Sequence, residues 1–214
     1  MRRVRKAGGP RRYGVLYIDP PWAYNDKNAN GQRGASFKYS VLKPKEIADL
    51  PMQNVMADDC AVFLWTTAPM LHDALRVLES WGAPHRTLAF NWVKTVTKFD
   101  RQDAMMKVSC DPWVWLNGNG VTAFGLGHWT RSSTELCLLG VRGRPKRVGK
   151  SVRQTIFYPA LKHSAKPPTT RDRIVELMGD VPRLELFARE RADGWDATGF
   201  ELDDVDVRDF LVRA

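Results

Sequence analysis

In the stretch "YGVLYIDPPWAYND" (13–26) a short apolar run stops on Asp19-Pro20-Pro21-Trp22, four residues that cannot continue a buried strand. Proline has no backbone N–H and pushes the residue before it away from helical geometry, so Asp19 is held extended and the chain turns there. The two prolines still offer carbonyl acceptors. One carboxylate and a neighbouring carbonyl on a stiff loop match a planar amino group with two N–H donors. The exocyclic amine of adenine or cytosine is such a group, and Trp22 or Tyr24 could stack on a base drawn out of its helix. Holding both N–H bonds of that amine favours a pyramidal nitrogen for in-line methyl transfer and stabilises the cation that forms. Asp19 need not be a strong base, since the methylated cation gives up its proton readily. Taken alone, the quartet also fits a turn that merely ends a strand.

Elements that would position such a loop are legible around it. Strand-like runs stand at 14–18, 60–66, 87–93, 135–141 and 183–188, each short, nearly continuous in apolar residues and bounded by turn formers. Helical patterns lie between them. Residues 68–82 place Leu71, Leu75, Leu78 and Trp81 on one side and stop at Gly82; residues 169–179 have Thr at the cap, Ile174, Leu177 and Met178 inward, and Gly179 after the end. Alternating β and α units predict a doubly wound, mostly parallel α/β sheet, with ligands outside the carboxyl ends of the strands. Asp19 stands at one such end and Arg189 just past another.

The least regular segment is 98–124, whose Asn117-Gly118 and Asn119-Gly120 pairs predict a hairpin or excursion. Trp113 and Trp115 precede those turns, on a target-recognition loop or packed on the body.

With 214 residues, 43% of them apolar, the chain is expected to form one domain over 13–202, with a basic arm at 1–12 and an acidic tail at 203–214. No run is long and apolar enough to span a membrane and no apolar signal core follows the basic start, so a cytoplasmic protein is expected. Cys60, Cys110 and Cys137 are scattered and read as reduced thiols, and His72, His85, His128 and His163 lack ligand spacing, so no metal is expected. An excess of 33 Lys plus Arg over 24 Asp plus Glu favours a polyanionic partner. It is concentrated in 2–12 and 142–153, where Arg144, Lys146 and Arg147 lie on a solvated loop or on phosphate.

Several ordered segments resemble the MT-A70 family of S-adenosylmethionine-dependent adenine N6-methyltransferases. "YIDPPWAY" is similar to its catalytic motif, "FLWTTAPM" (63–70) and "NWVKT" (91–95) to its next two strands, and "GLGHWTRSSTELCLLGVRGRPKR" (125–147) to its Gly-His/Tyr-Trp-Thr-Arg segment. "HSAKP" (163–167) resembles its Ser-x-Lys-Pro helix start, and "LELFARERADGWDATG" (184–199) its terminal strand and Gly-Trp loop.

The resemblance implies a Rossmann-like class I methyltransferase in circularly permuted order, with the catalytic motif before the cofactor strand. It assigns Asp19, Pro20, Pro21 and Trp22 to catalysis, and Asp19, Ser164, Lys166, Glu185, Leu186, Phe187, Arg189 and Arg191 to S-adenosylmethionine. Ser164 and Lys166 at a helix start would receive its carboxylate, and Glu185 its nucleoside hydroxyls. Tyr24, Tyr39, Lys94, His128, Trp129 and Arg131 would meet the target, with Arg144, Lys146 and Arg147 as phosphate contacts. Tyr39 also reads as a core tyrosine, His128 and Trp129 as a structural pair, and Lys94 as a cap on the sheet.

Two departures stand out. Gly199-Phe200-Glu201 replaces the family's Gly-Asn-Glu, and Thr134 stands where eukaryotic members carry a lysine. The expected activity is methylation of adenine N6 in DNA; the alternatives are the same reaction on RNA, or a non-catalytic nucleic-acid-binding subunit. A homo- or heterodimer is left open.

Overall fold

The computed structural model describes residues 11–24, 41–96, 122–123, 125, 129–160 and 165–214. In chain order the elements are β1 (Tyr13–Ile18), α1 (Pro44–Ala48), β2 (Met56–Thr66), α2 (Leu71–Ser80), β3 (His85–Thr95), β4 (Thr134–Arg142), β5 (Thr155–Pro159), α3 (Thr169–Met178), β6 (Arg183–Leu186), β7 (Asp196–Thr198), α4 (Phe200–Asp203) and α5 (Val207–Arg213).

All seven strands join one sheet in the order β5-β3-β4-β2-β1-β6-β7. β1 pairs in parallel with β2 and β6, β3 with β5, and β6 with β7. Of these seven strands β4 alone runs antiparallel, between β2 and β3. The doubly wound, mostly parallel sheet expected from the alternating pattern is therefore present. β1, which leads into Asp19, comes first in the chain and β6, which carries Glu185, comes late. From β1 the chain builds the sheet toward β5, then returns through α3 to the other side of β1. The strand order thus reverses between β1 and β6, where such sheets open a crevice at their carboxyl edge.

Successive side chains of a strand point to opposite faces, and β1 divides its residues accordingly. Leu16 and Ile18 face a core with Val62, Leu64, Leu78, Trp81, Leu184 and Leu186. Val15 and Tyr17 face a second core with Phe63, Trp65, Phe90, Trp92, Ile156, Ile174 and Met178. Helices cover both faces, so the central strands are buried on each side and read as unbroken apolar runs. Cys60 and Cys137 are buried free thiols, as the scattered cysteines suggested; Cys110 lies outside the described residues.

Several expectations need correction. β5 and β7 were not read from the sequence: one is an edge strand with Phe157 exposed, and the other is three residues long. In α2 the buried side chains are Ala74, Val77 and Leu78, with Leu71 and Leu75 only half-buried. Pro168, not a threonine, is the N-cap of α3. Residues 203–214 are not a tail beyond the domain. Val207 and Leu211 of α5 are buried in the first core, and the Leu211 carbonyl accepts from Asn54 Nδ2 at 2.8 Å. The basic arm is described only at its end, where Arg11 pairs with Asp196 at 2.7 Å and Arg12 donates to the Met56 carbonyl at 3.2 Å.

Candidate active site

β1 ends at Ile18, and Asp19 follows it at the carboxyl edge beside the crevice. The turn is fixed by its own backbone. Trp22 N–H donates to the Pro20 carbonyl at 2.9 Å, Leu42 N–H to the Pro21 carbonyl at 2.8 Å, and Ala23 N–H to the Leu42 carbonyl at 2.9 Å. Both proline carbonyls thus carry one donor already, and each keeps a second lone pair. Trp22 itself is buried in the first core, with its indole N–H donating to the Trp65 carbonyl at 3.0 Å. It anchors the loop from below and presents no ring to a base, which corrects its reading as a stacking residue. Tyr24 is 46% exposed, its hydroxyl 3.0 Å from Thr67 Oγ1, and among the described residues of this loop it is the aromatic that meets solvent.

Asp19 is not a lone carboxylate. Its Oδ2 lies 2.6 Å from Lys166 Nζ, and Lys166 Nζ lies 3.2 Å from Glu135 Oε2. Glu135 Oε1 in turn accepts from Lys94 Nζ at 2.5 Å. A row of alternating charge thus runs across the carboxyl edge from β1 to β3, with Lys166 supplied by the segment entering α3. Two indoles lie close to the lysines: Lys166 is 5.6 Å from the Trp65 ring and Lys94 is 5.0 Å from the Trp92 ring.

Burial raises the Asp19 pKa above its usual value and the Lys166 ammonium pulls it back in part. For Glu135, burial opposes the charge, but Lys166 and Lys94 outweigh it and the pKa falls. Burial likewise works against the charge on Lys166, and its two carboxylate partners outweigh that, so its pKa rises. Asp19 keeps 22% of its side-chain surface, enough for a ligand to reach it.

Across the crevice, Glu185 is gripped by Arg171 of α3 through both oxygens, at 2.7 and 3.0 Å. Burial pushes the Glu185 pKa up against that pairing. After Leu186 the chain takes Phe187 at φ 59°, then Arg189 pairs with Glu201 at 3.1 Å and Arg191 with Asp203 at 3.8 Å. The helix that follows β7 is thereby tied to the turn that follows β6. The Leu186 side chain is wholly buried, so it can meet a ligand only through its backbone.

Asp19, Pro20, Pro21, Tyr24, Lys94, Glu185, Phe187 and Lys166 are thus gathered at one edge of the sheet. Trp129, 99% exposed, and Arg131 approach β4 from that same edge, since Thr134 pairs with Val93 near the end of β3. The excursion leaves and returns there too, through a bridge between Thr95 and Thr122. Trp113, Trp115, Tyr39, His128 and Ser164 lie outside the described residues.

Arg144, Lys146 and Arg147 are not brought to this edge. β4 runs antiparallel, Leu136 opposite Thr66 and Arg142 opposite Cys60, so the loop after it sits at the starting end of β2. Six residues of strand put it about 20 Å from the Asp19 edge. Lys166 was read as a receptor for a cofactor carboxylate; its ammonium is engaged by Asp19 and Glu135. Phe200 is 67% exposed at the start of α4, so the departure from Gly-Asn-Glu places an apolar ring in water.

Sequence reasoning missed Glu135 and Arg171. Glu135 had a signal, an acid at the head of the apolar run of β4. Arg171 had none beyond its place in the first turn of an amphipathic helix.

The MT-A70 family profile matches residues 13–201. The chain is 32% identical over 212 residues to the type II methyltransferase M.MunI of a Mycoplasma species, an alignment covering 91% of this chain and 79% of that protein. It is 24% identical to an N(6)-adenosine-methyltransferase MT-A70-like protein of Arabidopsis thaliana, over 94% of this chain and 25% of that protein. With the human N(6)-adenosine-methyltransferase catalytic subunit METTL3 the identity is 23%, over 92% of this chain and 30% of that protein. The chain therefore spans most of the first relative and between a quarter and a third of the other two. With the family profile running from the first strand into α4, the chain belongs to the MT-A70 family.

Proposed function

We propose that this protein transfers a methyl group from S-adenosylmethionine to the N6 amine of an adenine in DNA. The observation that carries the reading is the placement of Asp19: an extended carboxylate on a turn braced by Trp22 and Leu42, at the edge where the strand order reverses, held by Lys166. DNA is favoured over RNA because the likeness to the type II methyltransferase spans most of both chains, whereas the adenosine methyltransferases are matched over a minority of their length.

The residues present fit the cofactor. The Thr198 hydroxyl, beside the turn after β6, is buried without a hydrogen-bond partner among the described residues, an acceptor and donor in wait. Glu185 has spare lone pairs for ribose hydroxyls beyond the two Arg171 bonds, and the Phe187 turn supplies backbone groups and an apolar ring. S-adenosylmethionine held by these residues would supply an electrophilic methyl, with a neutral thioether as its leaving group.

Asp19 and the Pro20 carbonyl accept the two N–H bonds of an extruded adenine amine, turning its lone pair toward the methyl. As the carbon–nitrogen bond forms the nitrogen becomes cationic, and the Asp19 charge stabilises it until one proton is lost to solvent. Tyr24 covers the base face. Lys166 keeps Asp19 ionised and aimed, and Glu135 holds Lys166. Polyanion binding agrees with the excess of basic residues. The finer reading of the partners is DNA, met by one chain or by a homo- or heterodimer, in the cytoplasm. No helix among the described residues is long and apolar enough to cross a membrane.

The test is labelled methyl transfer to duplex DNA, single-stranded DNA and RNA with nucleoside digestion, beside calorimetry with S-adenosylmethionine. N6-methyladenine in DNA is expected. Cofactor binding with no methyl on any adenine overturns the reading.

A further inference from the structure

A cavity of about 310 Å³ lies at the end of the sheet opposite Asp19. Leu139, Val141 and Met178 floor it, and Arg86, Arg144 and Arg147 line it. The three arginines are exposed and their guanidinium groups have no ion-pair partner among the described residues. From this cavity and the loop beside it we infer that the protein has a second nucleic-acid contact: a built phosphate site at the starting ends of the strands. It rests on the proposal that DNA is the substrate.

The loop that carries two of these arginines is fastened at both ends. Gly143 has φ 65°, and a Cβ there would stand 2.3 Å from the Asp58 carbonyl oxygen, so the turn out of β4 admits only glycine. Arg144 N–H then donates to Asp59 Oδ1 at 2.8 Å. At the far end, Val148 and Gly149 N–H groups donate to the Leu177 carbonyl at 2.8 and 3.1 Å, closing the last turn of α3. A Cβ on Gly149 would meet the Glu176 carbonyl oxygen at 2.4 Å. Between these fastenings stand Arg144-Pro145-Lys146-Arg147, with the proline fixing one more dihedral. A solvated loop has no need of two such fastenings, and a surface that must hold guanidinium groups apart for successive phosphates does. Arg86 reaches the same cavity from the start of β3.

The occupant is the sugar-phosphate backbone. Forked donors suit phosphate oxygens, the apolar floor suits sugar carbons, and the site is open. A separation of about 20 Å from the Asp19 edge corresponds to about six phosphates along one strand. One DNA molecule can therefore occupy both sites.

The experiment compares Arg86→Gln/Arg147→Gln with a charge-matched control, Arg76→Gln/Arg213→Gln, whose arginines lie on α2 and α5. Affinity for a duplex is measured against salt, and S-adenosylmethionine affinity by calorimetry. The cavity variant should lose about 1.8 from the slope of log affinity against log salt, two phosphate contacts' worth, and the control far less. Both should bind the cofactor as wild type does. Equal slopes in wild type and cavity variant, an equal fall in the control, or cofactor binding lost with the cavity arginines would each overturn the site while leaving methylation by the wild type untouched. A wild-type protein that binds no duplex would overturn the site and the proposed substrate together.

Discussion

Lys166 Nζ and Asp19 Oδ2 stand 2.6 Å apart although 147 residues separate them in the chain. The sheet brings them together: β1 delivers Asp19 to its carboxyl edge, and the approach to α3 crosses the same edge. The pair sets the charge on the acceptor that the proposed reaction needs. Burial favours the neutral acid, Lys166 the anion, and the net Asp19 pKa lies above the ordinary carboxylate value.

That direction fixes the sign of a pH effect. In the proposed reaction turnover needs ionised Asp19, so the rate should fall as pH drops through its raised pKa. Lys166→Met removes the cation that restrains the rise, so the acid limb of kcat should move to higher pH. An acid limb that stays in place or moves down contradicts the pairing as a functional one.

Glu135 stands between two ammonium groups and its pKa is lowered in the fold. Glu135→Gln at about pH 7 should cost about 3 kcal/mol, because it leaves Lys166 buried beside one carboxylate instead of two. For a chain of this size that is roughly 6–12 °C in Tm. A lowered pKa contributes stability above the unfolded-state value and loses it as pH falls through the folded one. The Tm difference between wild type and variant should therefore shrink toward about pH 3, below the usual Glu range. Melts that differ equally at both pH values contradict it.

Trp22 and Tyr24 are two residues apart and divide the work. Trp22→Phe strands the Trp65 carbonyl and should cost about 1–3 kcal/mol of stability. Tyr24→Ala should leave stability within about 0.5 kcal/mol and weaken target binding by about 1–3 kcal/mol, read as a raised KM for DNA. Denaturant titration and steady-state kinetics on both variants check this; exchanged phenotypes would mean the two rings are assigned the wrong way round.

The central strands were legible because burial on both faces forces unbroken apolar runs, and Asp19 because two prolines announce the turn. What escaped depended on strand order. Lys94, Glu135 and Lys166 lie far apart in the chain, and only β4 inserted between β2 and β3 makes them neighbours. The direction of β4 was equally hidden. A parallel strand would have carried residues 142–147 toward Asp19; an antiparallel one carries them away. Trp22 shows a third limit: after two prolines the alternation of faces is broken, so nothing in the sequence says whether its ring goes in or out.

The most direct measurement is single-turnover methyl transfer to duplex DNA by Asp19→Asn with S-adenosylmethionine saturating. This variant keeps the shape of the side chain and removes its charge. The expected result is cofactor affinity close to wild type and a rate lower by about a hundredfold to a thousandfold, the loss typical of one transition-state acceptor or donor. A variant that methylates adenine within about threefold of wild type would contradict the role given to Asp19.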